Sequence, residues 1–243
     1  MRAIDAILGQ PWAITPGWLE MIAAIAQRQF DAPIVAAMQN NPPRATDRGV
    51  RVENGVAVLG VTGPIFPRAN LMTAMSGATS LAQLQGDFRA ALADPAVSSI
   101  VLHFDSPGGV TTGIGDFAAE IKAARDSKPI VAVAAGDMAS AAYWLAAAAS
   151  SIVVSPTAVL GSIGVVAGVS KQVAPDASGK VALEIVSSNA PNKRPDPTDS
   201  AGRAELQAVV DAMEAEFIGQ VAAYRGVTID KVKADFGKGG VRV

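Results

Sequence analysis

The apolar and polar positions along the chain predict a short N-terminal helix followed by a domain of alternating strands and helices. Residues 17–29 carry apolar side chains at helical spacing, and the stretch from there to about residue 45 is rich in Asn, Pro and Gly. From residue 50 onward, apolar residues alternate with polar ones around Asn54-Gly55, which predicts a β-hairpin. We therefore expect an N-terminal helical arm and linker over residues 1–45 and a single folded domain over residues 46–243.

Within that domain the sequence repeats a unit of strand, glycine-rich turn, helix and strand. Ser80 stands three residues before Gln83, which is the spacing of a capping box, and Asp94-Pro95 stops the helix that follows. The expected elements, in chain order, are helix 80–93, strand 98–104, a helix to about 125, strand 129–135, a helix from 140, strand 150–156, and helices 200–224 and 229–236. Strands joined through helices form parallel sheets, so the sequence predicts the α/β class with a parallel sheet.

Composition narrows the functional classes. The 243 residues are 50% hydrophobic and 17% charged, which is enough to bury one substantial core. A formal charge of -2 and an isoelectric point near 5.4 argue against nucleic acid or anionic lipid as a partner. The absence of cysteine and the single histidine exclude disulfides, thiolate catalysis and metal sites built from several Cys or His side chains. Polar residues and prolines interrupt every long apolar stretch, so we expect a cytoplasmic protein without a membrane anchor.

Two glycine-rich turns mark a candidate catalytic site. Residues 105–109 and 136–140 each follow a predicted strand, at the edge of a parallel sheet where ligands bind. Ser140 would lie at the N-terminus of a helix, and Gly108 and Gly109 would let backbone N–H groups approach a substrate carbonyl as an oxyanion hole. This combination suits acyl transfer. The alternatives are that Ser140 is an ordinary N-cap and that the glycines only form a turn.

A serine nucleophile also needs a base. His103 lies inside a predicted strand, where Leu102 and Phe104 face the opposite side, so we interpret this imidazole as a packed structural residue. A desolvated lysine can replace histidine as the base, and Lys171, Lys180 and Lys193 remain as candidates. Residues 181–188 look like a strand that could deliver Lys193 to the serine. An ordinary solvated loop lysine remains the alternative at that position.

Three segments carry a family resemblance: DSPGGVT at 105–111, GDMASAAYWLAAAASSIVVSPTAVLGSIGVV at 136–166, and NKRPDPT at 192–198 with the helix 204–226 that follows. They resemble the signature regions of the serine-lysine peptidases typified by signal peptide peptidase A. The resemblance implies a repeated β-β-α superhelix similar to that of Clp protease and crotonase. It also implies that Ser140 is the nucleophile, Lys193 the general base and Ser162 the hydroxyl that orients the lysine. Gly109 would be one oxyanion donor, beside Gly108, and the Ala141 N–H the second.

The N-terminal segment narrows this resemblance further. Residues 12–29, before the strand VAVLGVTGPIF, resemble the start of prophage capsid proteases of the lambda protein C type. This likeness implies a homo-oligomer that processes scaffold or portal-associated proteins of a prohead, in the host cytoplasm. A family preference for small or apolar residues before the scissile bond fits a groove lined by alanines, Met138 and Leu160. Acyl transfer by serine and lysine needs no metal or organic cofactor.

Three other functions stay open at this point. The chain could degrade peptides as signal peptide peptidases do, without a role in capsids. A crotonase-like acyl-CoA enzyme could use the same oxyanion turns, but the turns offer only Asp105 and Asp137 as carboxylates. A non-catalytic protein that binds capsid scaffold would need no nucleophile. Labelling with a fluorophosphonate separates the serine peptidases from the other two, because only a peptidase should react, and only at Ser140.

Overall fold

A computed structural model describes most of the chain. The described residues are 10–27, 50–69, 77–169, 171, 174–175, 179–181, 183 and 185–243. The predicted linker to residue 45, and with it the predicted domain boundary, lies outside the described residues.

The elements of the described chain agree with the predicted alternation of strands and helices. The strands are β1 (Pro11–Ile14), β2 (Arg51–Glu53), β3 (Val56–Thr62), β4 (Ile65–Phe66), β5 (Thr79–Ser80), β6 (Ser99–Ser106), β7 (Gly108–Val110), β8 (Ile130–Ala139), β9 (Ser151–Val154), β10 (Val159–Gly161), β11 (Val166–Ala167) and β12 (Val241–Arg242). The helices are α1 (Pro16–Gln27), α2 (Leu81–Ala93), α3 (Ile114–Ala124), α4 (Ala141–Ala147), α5 (Ser200–Arg225) and α6 (Ile229–Asp235), with a short 3₁₀ turn at Pro191–Lys193.

The main sheet is built on parallel pairings and carries most of the core. Its strand order is β12-β10-β8-β6-β3-β2, and β9 also pairs with β8. The pairings β3–β6, β6–β8, β8–β9 and β8–β10 are parallel, whereas the hairpin β2–β3 and the edge pair β10–β12 are antiparallel. Helices α2, α3, α4 and α5 contribute buried side chains to the same apolar cluster as these strands. The predicted α/β class with a parallel sheet is therefore confirmed.

A second sheet contains the glycine turn and part of the predicted arm. Its order is β11-β1-β7-β4-β5, with β1 antiparallel to both β7 and β11. Trp12, Ile14 and Ile22 pack there with Phe66 and Val110 in a separate apolar cluster. The sequence analysis predicted the helix of the arm but not this strand, which joins residues nearly one hundred positions apart.

Local signals in the sequence place the ends of two helices correctly. Ser80 caps α2 by accepting a hydrogen bond from the Gln83 N–H at 3.4 Å, as the capping-box spacing predicts. Helix α5 begins after Asp199, whose carboxylate accepts from the Gly202 N–H at 2.7 Å, and it ends at Gly226 with φ 65°. These two helices therefore begin at side chains that satisfy their free N–H groups.

Candidate active site

Ser140 occupies a strained turn between β8 and α4. Its backbone has φ 53° and ψ -119°, a conformation that residues other than glycine rarely adopt. The Ser140 N–H donates to the Gly161 carbonyl at 2.7 Å, and the Ser140 carbonyl accepts from the Trp144 N–H at 2.9 Å. The surrounding fold therefore holds this backbone in place from both sides, which is typical of a residue under functional constraint.

The Ser140 hydroxyl is buried and has no hydrogen-bond partner within the described part of the chain. The side chain does not cap α4, although Ser140 stands at the N-cap position. The interpretation of Ser140 as a serine whose side chain caps the helix is therefore wrong. A buried hydroxyl without a partner is unfavourable for folding, so this oxygen needs an explanation other than stability.

The glycine strand β7 passes directly beside Ser140. A methyl group added to Gly108, whose φ is 106°, would overlap the Ala13 carbonyl oxygen and lie 2.9 Å from the Ser140 Cβ. A methyl group on Gly109 would overlap the backbone of Ile65 on the neighbouring strand. Only glycine fits at either position, because the backbone on each side approaches too closely for a side chain. The predicted juxtaposition of the glycine turn and Ser140 is therefore present.

Ser106 fixes the start of this strand. Its hydroxyl is fully buried, donates to the Gly63 carbonyl at 2.7 Å and accepts from the Gly108 N–H at 3.3 Å. The Gly108 N–H is thereby occupied. The role of Gly108, Gly109 and Ala141 as oxyanion donors stays a prediction.

Ser162 lies at the same end of the sheet as Ser140. Gly161 of β10 pairs in parallel with Ala139 of β8, so the residues that follow them, Ser162 and Ser140, leave adjacent strands side by side. Ser162 also has φ 53°, is largely buried, and donates its N–H to the Gly240 carbonyl at 2.8 Å. The fold therefore brings the two predicted hydroxyl residues to one edge of the sheet.

Lys193 lies at the surface and makes no hydrogen bond with the Ser140 hydroxyl. It ends the 3₁₀ turn Pro191–Lys193. The strand predicted over residues 181–188 is wrong for its described residues, none of which is in a strand. Leu183 and Ile185 are 86% and 99% exposed, so the apolar residues of this segment find no sheet or helix to cover them.

The carboxylates near Lys193 in sequence are engaged elsewhere. Asp196 forms an ion pair with Lys171 and accepts from the Thr198 N–H and hydroxyl at 2.9 and 2.6 Å. The hydrogen bond from Lys171, together with those from Thr198, holds the pKa of Asp196 well below its usual range. Asp199 caps α5. Lys171 is one of the three lysines predicted as candidate bases. Its ammonium group instead pairs with the Asp196 carboxylate.

The residues predicted to line a substrate groove are neighbours in the sheet. Met138 and Leu160 face each other in the β8–β10 register; Met138 is fully buried, and Leu160 is half-buried against the main core. Their assignment to the groove stays a prediction.

His103 and Asp105 lie on β6, and Asp137 lies on the neighbouring strand β8. The Asp105 carboxylate accepts from the Asp137 N–H at 3.2 Å, and burial, with the charge of Asp105, raises the pKa of Asp137. His103 is half-buried in β6, on the opposite side from the buried Leu102 and Phe104, as predicted. In the part of the chain that the structure describes, no three His, Asp or Glu side chains form a group that could hold a metal ion.

Comparison with known proteins identifies relatives of this site. Residues 122–239, which include Ser140, Ser162 and Lys193, match the profile of peptidase family S49. The head-tail preconnector protein GP5 of Enterobacteria phage P21 is 33% identical over 212 residues, covering 85% of this chain and 42% of that protein. The capsid assembly protease C of Escherichia phage lambda is 34% identical over 210 residues, covering 83% of this chain and 46% of the protease. The chain thus spans less than half the length of both relatives.

Solved structures give more distant likenesses. A membrane-bound stomatin-specific protease in complex with a substrate peptide is 15% identical, with a TM-score of 0.34 and coverage of 77% of this chain and 74% of that one. An enoyl-CoA hydratase/isomerase family protein from Silicibacter pomeroyi is 16% identical, with a TM-score of 0.35 and coverage of 76% and 94%.

Among the described helices, none is long and apolar enough to cross a membrane. The resemblance predicted from the sequence is confirmed by the sequence relatives and by the match of residues 122–239 to peptidase family S49.

Proposed function

We propose that this chain is a serine endopeptidase in which Ser140 is the nucleophile and Lys193 the general base. The observation that carries the proposal is the Ser140 hydroxyl, which lies buried on a strained turn beside the glycine strand and has no hydrogen-bond partner among the residues that the structure describes. The match to peptidase family S49 over this region supports it.

In the proposed reaction the Ser140 Oγ attacks the carbonyl carbon of the scissile peptide bond while its proton passes to the neutral amine of Lys193. The tetrahedral intermediate collapses to an ester on Ser140 as Lys193 returns that proton to the leaving amine. A water molecule then attacks the ester and gives a proton to Lys193, which passes it to the Ser140 Oγ as the ester bond breaks. This step releases the new carboxyl end and restores the Ser140 hydroxyl and the neutral amine of Lys193. The cycle needs no group beyond these side chains, the backbone and water.

Backbone N–H groups would stabilise the negative charge of the intermediate. The Gly109 N–H belongs to the glycine strand that passes beside Ser140, and the Ala141 N–H follows Ser140 at the start of helix α4. Donors of this kind contribute about 2.7–4 kcal/mol each to lowering a barrier. The glycine at 108 keeps the strand close enough for its neighbour to serve in this way.

Lys193 has to approach Ser140 and lose its proton before it can act. A free lysine has a pKa of about 10.4, and burial lowers that value because the ammonium form loses its hydration. Asp196 and Asp199 do not oppose this change, since Lys171 and the start of α5 occupy their carboxylates. Ser162, adjacent to Ser140 at the sheet edge, would then orient the neutral amine.

We further propose capsid-assembly proteins as the substrates. This step rests on the names of the relatives, a capsid assembly protease and a head-tail preconnector protein, and on the 33–34% identity over most of this chain. Scaffold or portal proteins of a prohead in the host cytoplasm are the expected targets, and the working form is expected to be a homo-oligomer.

Reaction with a fluorophosphonate tests the nucleophile. The parent protein should gain one covalent adduct, found by peptide mass mapping on Ser140, and Ser140→Ala should gain none. Ser150→Ala is the matched control, because Ser150 is an exposed serine whose hydroxyl accepts from the Ile130 N–H, and this variant should react as the parent does. An adduct on another serine, or equal labelling of Ser140→Ala, would overturn the proposal.

A further inference from the structure

The strand β1 lies against the glycine strand β7, which passes beside Ser140. It runs antiparallel to the glycine strand, with Trp12 opposite Val110, Ala13 opposite Gly109 and Ile14 opposite Gly108. On its other edge it pairs with β11. Proteins commonly bind extended peptides by adding them as a strand to an open sheet edge, and here a segment of the chain itself fills the space between two strands.

The register directs the Ala13 carbonyl at the proposed oxyanion donor. Outside the strand, the Thr15 N–H donates to the Pro107 carbonyl at 3.1 Å and the Thr111 N–H to the Pro11 carbonyl at 3.3 Å. Hydrogen-bonded pairs recur at every second residue of an antiparallel ladder, so Ala13 and Gly109 form the bonded pair between these two. The Gly109 N–H therefore faces the Ala13 carbonyl oxygen, and this carbonyl and the Ser140 side chain border the same face of Gly108.

The side chains of the strand hold it in that register. Trp12 and Ile14 are buried in the smaller apolar cluster, where the Trp12 ring meets the Phe66 ring edge to face at 5.7 Å. Ala13 points the other way and is fully buried against the main core. The segment thus has bulky anchors at alternate positions and a small residue at the position next to Ser140.

We propose that residues Gln10–Thr15 occupy the substrate groove of this peptidase as an internal inhibitor, which a substrate must displace before it binds in the same antiparallel register. The inference rests on the proposed function and adds to it a groove, between β7 and β11, and a form of self-inhibition. In this closed form the Ser140 hydroxyl has no base in contact, which accounts for the survival of the Ala13–Ile14 peptide bond beside a nucleophile.

Two variants of the full chain open the groove. Trp12→Ala removes the anchor, and Ala13→Pro removes the N–H that faces the Gly109 carbonyl, so either variant lowers the population of the closed form. Apparent affinity scales with the fraction of protein in the open form. We therefore expect the rate of hydrolysis of a fluorogenic peptide at low substrate concentration to rise about tenfold or more, and the rate of fluorophosphonate labelling to rise equally. Met21→Ala is the control, since Met21 is on α1 and 50% exposed, and it should behave as the parent.

A binding measurement keeps this test independent of catalysis. Two proteins are compared, both carrying Ser140→Ala, one with Trp12→Ala and one with Trp12 intact. A fluorescent peptide with the sequence QPWAITP should bind to the first, measured by fluorescence anisotropy. It should bind to the second at least about tenfold more weakly. The same peptide with Arg in place of Ala13 should not bind. Binding of QPWAITP to the Trp12→Ala variant, together with no hydrolysis of any fluorogenic peptide when Ser140 is intact, would uphold the groove and overturn the peptidase.

Three results would overturn the proposal that β1 is an internal inhibitor. One is equal binding of QPWAITP with and without Trp12. Another is a loss of labelling and of thermal stability in both opened variants, which would make β1 a structural strand. The third is cleavage of the parent between Ala13 and Ile14, detected by intact mass, which would make the segment a substrate.

Discussion

The two residues of the proposed dyad lie in regions of opposite character. Ser140 is surrounded by backbone at close range: the Gly161 carbonyl binds its N–H, and Gly108 approaches its Cβ so closely that a methyl group would not fit. Lys193 lies on a short 3₁₀ turn in an exposed loop whose apolar residues are uncovered. The comparison teaches that the fold of one chain holds Ser140 rigidly in place, whereas it leaves Lys193 exposed and without a hydrogen bond to the Ser140 hydroxyl.

The largest expected effect is that of Ser140→Ala. Loss of the nucleophile should lower peptide hydrolysis by several orders of magnitude, as in other sites whose members act as a unit. The midpoint of thermal unfolding should stay equal to that of the parent or rise, because the hydroxyl makes no hydrogen bond and does not cap α4. Activity assays and thermal denaturation of both proteins check this, and a marked drop in the unfolding midpoint would show that the hydroxyl serves stability.

Lys193→Ala tests whether the exposed loop supplies the base. We expect a loss of turnover comparable to that of Ser140→Ala, while Lys171→Ala and Lys180→Ala stay within about tenfold of the parent, or about 1.4 kcal/mol in the barrier. If Lys171→Ala is inactive and Lys193→Ala active, the base is assigned to the wrong lysine.

Gly108→Ala tests how closely the region around Ser140 is packed. The added methyl group would overlap the Ala13 carbonyl at a positive φ, so we expect a loss of about 1–3 kcal/mol in the free energy of unfolding. The control is Gly60→Ala in β3, where a methyl group would meet no atom within 4 Å, and denaturant unfolding should find it close to the parent. Equal stability of the two variants would contradict the close packing.

The smallest expected effects come from one carboxylate in each region, and they have opposite signs. Burial raises the pKa of Asp137, so its ionisation above the unfolded pKa of about 3.9 opposes folding, and Asp137→Asn should raise the unfolding midpoint slightly at pH 7. The bond from Lys171 lowers the pKa of Asp196, so that carboxylate stabilises the fold above its unfolded pKa, and Asp196→Asn should lower the midpoint slightly at pH 7.

Thermal unfolding at two pH values separates these two carboxylates. As the pH falls from 7 toward the unfolded pKa, the effect of Asp137→Asn should shrink, because the raised pKa means that the folded parent takes up a proton before the unfolded chain does. The effect of Asp196→Asn should persist at pH 4 and disappear only as the pH falls through the lowered pKa. The same sign for both variants at pH 7 would contradict the assigned environments.

Part of the site could be predicted because it depends on residues that are close in sequence. The apolar run before Asp105, the paired glycines and the alanine-rich segment after Ser140 each specify a strand, a turn or a helix on their own. Two such units in succession place both turns at one edge of a parallel sheet. The resemblance to a peptidase family added Ser162, and the β8–β10 register puts it beside Ser140.

Other features had no adequate local signal. PWAI is four residues long, begins with a proline and is followed by Thr15-Pro16, so it is too short for its alternation to predict a strand. Residues 181–188 have the composition of a strand, yet the described ones form none. Nothing nearby in sequence indicates that the Gly161 and Gly240 carbonyls bind the N–H groups of Ser140 and Ser162.

The sequence by itself determined the alternation of the longer strands and helices from α2 to β9, the capped start of α2 and the serine at a strand-to-helix turn, since periodicity and capping act within a few residues. Only the tertiary structure decided that β1 lies against the glycine strand, that the Ser140 hydroxyl is buried without a partner, and that Lys193 stays at the surface. A strand forms only where another strand offers hydrogen bonds and a core covers its apolar face. Residues 11–14 find both almost one hundred positions away, and the described residues of 181–188 find neither.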